Sequence, residues 1–439
     1  MKYKIVCKSC NTEIENFGEW FKAGQKCPSC GSEKADVRYL SGLSALAGLL
    51  SNKDNIKPNS MWHYFDYLPV ERKENIISSG EGMRRIDRLY FLEEMARDKG
   101  VNCKVFGHRH DNNPSTGTFK DLAGSVVASV LKENGIKNYI VSSTGNIGVA
   151  YSRYMAAADI NLFAFIPCDS SKSQIAEISC FGQKVFWVRG DYTKAKKIAR
   201  EFSQNHNIML SQGSFDPMRI EAKKTMAYDW ALMMDEFPTV YIQALSGGTG
   251  PLGVEKGIKE MIETGIIPES PRFVMVQSDR CSPMADAWAK AKNDGFKDDW
   301  HNKFPVYDNP ETEIMTLATG NPVAYPEVSE LVWRSGGEIL SFPENYVKDV
   351  AKIVAYETAI RMGPAAATAV GGFFSALKNN TIKEGDVVLI AIGEGMRRSP
   401  EFMQQLAYTC SSVSDVDECE LINRKAYKDM LWDRIRSLI

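Results

Sequence analysis

The chain has 439 residues, of which 44% are hydrophobic and 25% are charged, a balance typical of globular proteins. Lysine and arginine number 53 against 55 acidic residues, and this net charge of −2 argues against a dedicated nucleic-acid-binding protein. The first residues lack the apolar core of a secretory signal, and the apolar run 363–377 is too short and too rich in glycine to span a membrane. We therefore expect a soluble cytoplasmic protein without nucleic-acid or membrane partners.

Two CxxC pairs lie near the start of the chain, formed by Cys7, Cys10, Cys27 and Cys30. This spacing is typical of zinc ribbons, in which two tight turns each present two thiolates to one tetrahedral ion. The alternative is a pair of disulfides, which a reducing cytosol disfavours. Four thiolates leave no open position on the ion, so we predict a structural zinc ribbon over residues 1–40.

From residue 138 onward, apolar runs of strand length alternate with helical stretches of about a dozen residues, a pattern typical of a parallel sheet covered on both faces. The preceding stretch 39–72 indicates a helix and an extended segment. The predicted strands are 139–142, 162–166, 184–188, 208–210, 239–244, 273–277 and 387–392. The predicted helices are 147–157, 193–204, 219–234 and 252–264. These elements predict the α/β class.

The loops that follow strands are the candidate ligand sites, because ligands of parallel sheets bind at the carboxyl ends of strands. The turn 113–121, NPSTGTFKD, precedes an apolar helix predicted to begin near Leu122. Lys120 would lie near the positive end of that helix, where the helix dipole lowers the pKa of an amine and favours nucleophilic chemistry. The alternative is a solvated surface lysine.

Two further loops join a predicted strand to a predicted helix, SSTGNIG at 142–148 and SGGTG at 246–250. Free backbone amides at such helix starts suit a carboxylate or a phosphate. Neither loop carries the GxGxxG pattern of dinucleotide sites or the lysine of a P-loop. Two anion sites and a lysine together indicate a ligand with a phosphate, a carboxylate and a carbonyl, a description that pyridoxal phosphate with an amino acid satisfies.

Several motifs occur in an order that is similar to a known family. MWHYFDYLPV and SSGEGMRRIDRL follow the ribbon; NPSTGTFKD is similar to NPTGSFKDR, and SSTGNIG to an asparagine loop. SQGSFDPMRIEAKKTMAYDWA is similar to NSxNPxRxxGxKTxAYE, and LSGGTG, VQSDRCSP and ATGNPVA complete the series. Over nearly its whole length the chain resembles threonine synthase and its relatives among the fold-type-II pyridoxal phosphate enzymes. The resemblance implies two α/β domains, as in the tryptophan synthase β subunit, here after a zinc ribbon.

The resemblance also implies roles for single residues. Lys120 would bond to the cofactor, with Phe119 beside it, and Asn146 would hydrogen-bond the cofactor's 3′-oxygen. The cofactor phosphate would bind the backbone of Gly247, Gly248, Thr249 and Gly250. The substrate carboxylate would bind Ser143, Thr144 and Gly145. The substrate's own phosphate would bind Arg219 and Lys172, which are otherwise surface charges.

The resemblance divides the chain after the ribbon into a large cofactor-binding domain, residues 41–122 and 236–439, and a smaller domain, 123–235, that closes over the substrate. A homodimer is possible in this family. The default reaction is O-phospho-L-homoserine plus water to L-threonine plus phosphate. One alternative is cysteate synthase, which converts O-phospho-L-serine and sulfite to L-cysteate and phosphate. Another is a catalytically silent relative that binds a ligand or a partner.

The chain departs from threonine synthase at three places. Leu122 replaces the arginine after FKD, the phosphate loop reads SGGTG, and Ile392 stands where the family has a threonine that faces the cofactor's pyridine nitrogen. Isoleucine cannot form that hydrogen bond. If the strand continues, Glu394 points to the same side as Ile392, and we hypothesise that its carboxylate contacts the ring nitrogen. The alternative is a solvated turn residue.

Overall fold

The structure, a computed structural model, describes residues 1–52, 60–143, 145–168, 170, 172–407, 409–421 and 423–438. Its strands are β1 (Tyr3–Cys7), β2 (Glu13–Ile14), β3 (Ala35–Tyr39), β4 (Ile86–Arg88), β5 (Lys104–His108), β6 (Asn138–Ser142), β7 (Asn161–Pro167), β8 (Lys184–Val188), β9 (Met209–Leu210), β10 (Val240–Ala244), β11 (Arg272–Ser278), β12 (Glu338–Phe342) and β13 (Val387–Ala391).

The helices cover both faces of the sheets and connect most of the strands. They are α1 (Phe17–Lys22), α2 (Ser44–Ser51), α3 (Tyr90–Asp98), α4 (Lys120–Glu133), α5 (Asn146–Ala157), α6 (Lys172–Cys180), α7 (Tyr192–His206), α8 (Pro217–Met233), α9 (Thr249–Glu263), α10 (Pro283–Asn293), α11 (Tyr325–Arg334), α12 (Val347–Thr358), α13 (Pro364–Lys378), α14 (Pro400–Gln405) and α15 (Arg424–Arg436). Within the described residues, no helix is both long enough and apolar enough to cross a lipid bilayer.

The first forty residues form a small antiparallel sheet in the order β2-β1-β3, with α1 packed against it. Asn16 caps α1 by accepting a hydrogen bond from the Glu19 amide at 3.1 Å. Phe17 and Trp20 of α1 are fully buried and form part of the core of this unit. So small a unit buries little apolar surface, which is the situation in which a metal site commonly adds stability.

Two larger sheets form the rest of the fold. The first has the order β12-β11-β10-β13-β5-β4, and its strands are parallel except for the edge strand β4. The second, β8-β7-β6-β9, is parallel throughout. The predicted α/β class is therefore confirmed. The second sheet lies within the predicted smaller domain 123–235; that this domain moves stays a prediction.

All seven predicted strands are present, with ends within one residue of those predicted, and the predicted helices are present as α5, α7, α8 and α9. Three strands of the two larger sheets, β4, β5 and β12, were not predicted, nor were the individual strands of the ribbon. The extended segment predicted within 39–72 is wrong in its described part, because Met61–Tyr67 forms 3₁₀ turns. Met61, Tyr64 and Tyr67 are buried, and their spacing of three matches the three residues per turn of a 3₁₀-helix. Residues 53–59 of that stretch lie outside the described residues.

Helices α8 and α9 approach each other closely, and this contact fixes the loop before α9. A Cβ at Gly253 would lie 2.6 Å from the Cβ of Lys223, and one at Gly257 would lie 2.5 Å from the carbonyl oxygen of Lys224. Only glycine therefore permits this helix–helix distance. The SGGTG loop is held against the sheet as a result.

Candidate active site

A cavity of about 400 Å³ lies where β6, β9, β10 and β13 end, at the carboxyl edges of the two parallel sheets. The lysine turn, the asparagine loop and the SGGTG loop all contribute to its wall. Three segments that are distant in sequence thus meet in one place, as expected for ligand sites of parallel sheets.

Lys120 is the first residue of α4, which begins two residues before the predicted start. Its backbone amide donates to Thr118 Oγ1 at 3.0 Å, and its Nζ lies 4.0 Å from the centre of the Phe119 ring. Burial lowers the pKa of the Lys120 amine to about 7; the nearby Arg219 charge lowers it as well, and Glu394 opposes the shift. An amine with this pKa is well suited to accept and return a proton near neutral pH.

The turn before Lys120 is organised by Asp121. Its carboxylate accepts hydrogen bonds from the Ser115 amide at 3.1 Å, the Thr116 amide at 2.9 Å and the Thr116 hydroxyl at 2.7 Å. A carboxylate that is fully buried and bonded in this way fixes the backbone of the turn. The direction of the Lys120 side chain is set by this local network.

The asparagine loop is closed by Ser143, whose hydroxyl donates to the Gly145 carbonyl at 3.0 Å and accepts from the Gly148 amide at 3.3 Å. A Cβ at Gly145 would come within 3.2 Å of Thr316 Cγ2, so this side of the loop is closely packed. Asn146 begins α5 and lines the cavity. Thr144, the remaining residue predicted to bind the substrate carboxylate, lies outside the described residues.

The SGGTG loop curls around the start of α9. Gly248 has a φ of +87°, which favours glycine, and a Cβ there would lie 2.8 Å from Val328 Cγ2. A Cβ at Gly250 would lie 2.4 Å from the Gln243 amide nitrogen. The first amides of a helix have no intrahelical acceptor. Gly247, Gly248, Thr249 and Gly250 therefore line the cavity as a cradle of backbone donors that fits a phosphate.

Glu394 lies in the cavity wall and is only 3% exposed, so the alternative of a solvated turn residue is wrong. Its carboxylate accepts from the Ala365 amide at 2.9 Å and from Asn146 Nδ2 at 2.8 Å. Arg398 Nε donates to the other side of the same amide, Asn146 Oδ1, at 3.1 Å. Burial raises the pKa of Glu394, while the Ala365 and Asn146 hydrogen bonds oppose this shift.

Ile392 and Glu394 do not point to the same side, because β13 ends at Ala391 and the alternation of strand side chains is lost there. Ile392 is fully buried in an apolar cluster, and its Cγ1 would contact a Cβ on Gly107 at 3.2 Å. Ile392 does not line the cavity, and Glu394 does. Of these two residues, Glu394 is therefore the one whose side chain, a carboxylate, lies in the cavity wall.

The two residues predicted for the substrate phosphate lie in different places. Arg219 is 9% exposed and lines the cavity, and its Nη1 donates to the Gly213 carbonyl at 2.7 Å. Its Nε is buried and has no hydrogen-bond partner among the described residues. Lys172 is exposed at the start of α6 and does not line the cavity.

Sequence reasoning missed several parts of the cavity wall, among them the face of α7 that carries Tyr192, Lys196 and Arg200. Their spacing of four residues was a signal that all three lie on one face of the predicted helix. It did not indicate that this face turns toward the cavity, since that depends on how α7 packs on the second sheet.

The four cysteines of the two CxxC pairs meet as predicted. Their sulfur atoms all lie within 4.8 Å of one another, with 3.6 Å between Cys7 and Cys30 and between Cys10 and Cys27. Thiolates that bind one zinc ion at about 2.3 Å in a tetrahedron lie about 3.8 Å apart. The donor set therefore fits a tetrahedral metal ion.

The ribbon also contacts the cavity wall. Gln25, two residues before Cys27, donates from its side-chain amide to the Leu210 carbonyl at 2.9 Å. The side-chain amide of Gln212 donates back to the Gln25 carbonyl at 2.7 Å. Leu210 and Gln212 line the cavity, so the fold of the ribbon supports one side of the site.

The sequence of the chain is similar to known proteins over most of its length. The profile of the family described as "Pyridoxal-phosphate dependent enzyme" matches residues 85–393. The chain is 25% identical to the threonine synthase of Methanocaldococcus jannaschii, over 85% of this chain and 92% of that protein. It is 23% identical to the cysteate synthase of Methanothrix thermoacetophila, over 82% of this chain and 86% of that protein.

Solved structures with the same fold are more distant in sequence. O-ureido-L-serine synthase aligns with a TM-score of 0.59 and 17% identity over 76% of this chain and 94% of that chain, in its form with bound O-ureido-L-serine. Maize serine racemase aligns with a TM-score of 0.60 and 16% identity over 74% and 92%. These likenesses concern the fold alone, and they confirm the predicted fold-type-II architecture.

Proposed function

The chain belongs to the family of pyridoxal-phosphate dependent enzymes, and from this premise we propose that it catalyses elimination or replacement on a phosphorylated amino acid. The observation that carries the proposal is the meeting of Lys120, the asparagine loop and the SGGTG cradle in one cavity. The similarity to a threonine synthase and a cysteate synthase supports the substrate class.

We assign the cofactor to the residues that fit its groups. The amides of the SGGTG cradle would hold its phosphate, Lys120 would bond to its aldehyde carbon, and Asn146 would face its 3′-oxygen. The bound cofactor supplies an electron sink that makes the Cα proton of the substrate acidic. Lys120, with a pKa of about 7, would then accept that proton at Nζ.

The substrate would be bound through its two acidic groups. Backbone amides at the start of α5, together with Ser143, suit its carboxylate. Arg219 has a buried Nε free of any described partner, and a guanidinium suits a phosphate well. Loss of phosphate from the side chain would complete the elimination, and a nucleophile would then add.

Glu394 is proposed to be the partner of the cofactor's pyridine nitrogen. It is buried, lines the same cavity as Lys120, and is held by the Ala365 amide at the start of α13. This hydrogen bond and the one from Asn146 favour the charged carboxylate and oppose the effect of burial on its pKa. It could therefore hold a proton on the ring nitrogen and strengthen the electron sink.

The lead reaction is O-phospho-L-homoserine plus water to L-threonine plus phosphate. The alternative is O-phospho-L-serine plus sulfite to L-cysteate plus phosphate. It is favoured by the SGGTG loop, which lines the cavity and departs from the threonine synthase pattern.

The test is phosphate release by the cofactor-loaded protein, offered each phospho-amino acid separately, with and without sulfite. Release from O-phosphohomoserine with threonine formed supports the lead reaction. Release from O-phosphoserine, with cysteate formed only when sulfite is present, supports the alternative. No release from either compound would overturn both.

The rate at which the cofactor-free protein captures pyridoxal phosphate is expected to follow the free amine of Lys120. Because its pKa is lowered to about 7, the rate should rise between about pH 6 and pH 8 and then level off. An ordinary lysine is only roughly 0.03% unprotonated at pH 7, so its rate would keep rising to about pH 10. Stopped-flow absorbance of the bound cofactor measures this profile. A midpoint above about pH 9 would contradict the assignment.

We propose zinc as the ion of the cysteine cluster, with a structural role because all four ligands come from the chain. Since Gln25 and Gln212 join the ribbon to the cavity wall, losing the ion should also disturb the site. Folding energy in such small units comes largely from the metal.

Replacing Cys27 with serine is expected to reduce bound zinc from about one ion per chain to nearly none, because three thiolates hold the ion much less tightly. Metal analysis of the purified protein measures this. Cys419→Ser is the matched control, because Cys419 is exposed and lies far from the cluster in sequence. Equal zinc content in the two variants would refute the site.

A further inference from the structure

One face of helix α7 carries positive charge toward the mouth of the cavity. Tyr192, Lys196 and Arg200 follow each other at intervals of four residues and all line the cavity. Residues at this spacing lie above one another on a helix. Neither the cofactor assignment nor the chemistry at Lys120 uses these three residues.

The two cations have no acidic partner in the part of the chain that the structure describes. Lys196 Nζ lies 4.2 Å from the centre of the Tyr192 ring. The charged side chain that affects its pKa is Arg200. Lys196 is exposed at the surface, and partial desolvation by its neighbours together with this like charge lowers its pKa. Two cations four residues apart repel each other, and a bound anion would offset that repulsion.

The three residues on this face of α7, which we call the α7 stripe, lead inward to the site. The Tyr192 hydroxyl donates to the Ser142 carbonyl at 3.4 Å and so ties α7 to the asparagine loop. Arg219, the next cation along the wall, lowers the pKa of the Tyr192 phenol against the effect of burial. Its own Nε is buried without a partner among the described residues. A path of positive charge therefore runs from the mouth to the centre of the cavity.

We propose that Lys196 and Arg200 form an oxyanion subsite at the mouth of the cavity, separate from the SGGTG cradle. Its ligand is an oxyanion of phosphate or sulfite type. Two cations that can each donate hydrogen bonds to such an anion suit this ligand. The subsite rests on the proposed function for its place in the reaction.

The oxyanion can come from two sources with the same chemistry. It is either the phosphate group of the amino acid substrate or a free anion that replaces it. In the second case the sulfur lone pair of hydrogen sulfite forms the new C–S bond. The C–O bond to phosphate breaks. Phosphate leaves with the electron pair of that C–O bond and takes up the proton of hydrogen sulfite.

Inorganic phosphate is the probe for the subsite, added to the cofactor-loaded protein so that the cradle is already filled. Calorimetry should show that the double variant Lys196→Gln and Arg200→Gln binds phosphate at least about 10-fold more weakly, because two charged hydrogen-bond donors are lost. Lys194→Gln together with Lys197→Gln is the control, since this pair removes the same two charges from other exposed positions of α7 that do not line the cavity. A double variant that binds phosphate within about twofold of this control overturns the subsite.

Steady-state kinetics separate the two sources. If the subsite holds the substrate's phosphate, the double variant raises KM for the phospho-amino acid; if it holds the free anion, KM rises for sulfite alone. Either result supports the subsite. Phosphate binding that depends on Lys196 and Arg200 in a protein that releases phosphate from neither substrate would overturn the proposed function and leave the subsite standing. Normal turnover of the wild type, with phosphate binding unchanged in the double variant, would overturn the subsite and leave the proposed function standing.

Discussion

Lys120→Ala is expected to lower turnover by at least about 1000-fold, because one amine is proposed both to bond the cofactor and to move the Cα proton. A second base in the cavity would have to reach the same proton, and the other titratable groups of the described wall are Glu394, Tyr192 and the three cations Lys196, Arg200 and Arg219. Phosphate release measures the loss. Borohydride reduction followed by mass spectrometry should find the cofactor fixed to the wild-type peptide that contains Lys120 and absent from the variant.

Lys137→Ala is the matched control, since Lys137 is 64% exposed and lies outside the cavity, in the loop after the same helix. It should keep both turnover and the fixed cofactor. Equal turnover in the two variants, or a fixed cofactor on another lysine, would contradict the role of Lys120.

The same variant has an expected effect on stability that separates chemistry from folding. A lysine whose pKa falls from 10.5 to about 7 on folding opposes folding at low pH, and that opposition fades as pH rises from about 7 to 10.5. Without its cofactor, Lys120→Ala should therefore melt at or above the wild-type temperature at pH 6, and the difference should shrink by pH 10. A variant that melts well below the wild type at pH 6 would mean that its lost turnover reflects unfolding.

The sequence predicted those parts of the fold that a single segment encodes. The buried parallel strands are apolar runs, such as FVMV within β11 and VVLIA in β13, so they were found to within a residue. The central strand β5, KVFGH, was missed because it is short and mixes polar and apolar residues. Its burial comes from the neighbouring strands β13 and β4.

The site residues that were predicted are likewise those that a single segment marks. Glycines and amide side chains at strand ends mark the SGGTG and asparagine loops, and the structure brings both to Lys120. The stripe on α7 was missed because a basic helix face usually meets solvent. Glu394 lines the cavity for a different reason from the one predicted, since β13 ends at Ala391 and an isolated bridge to Thr118, not strand alternation, positions Glu394.

Glu394→Gln is expected to lower turnover by about 100-fold and to change the absorbance band of the bound cofactor, because an amide has the same shape but cannot hold a proton on the ring nitrogen. The spectrum is the more direct measurement, since it is read without substrate. The one oxygen of the new amide can still accept from the Ala365 amide, whereas the bond from Asn146 Nδ2 is lost because an amide NH₂ only donates. A melting temperature equal to that of the wild type would show that the spectral change does not come from misfolding.

Gly363→Ala offers a second variant that displaces the same carboxylate without removing its charge. A Cβ there would lie 2.9 Å from Glu394 Cγ and Oε1, whereas the φ of −77° at Gly363 is open to any residue. The carboxylate must shift, so this variant should show a smaller spectral change in the same direction as Glu394→Gln. If both variants keep the wild-type spectrum and rate, the ring nitrogen is not held by Glu394. That carboxylate would then serve only to accept from the Ala365 amide, a role that Glu394→Gln would preserve.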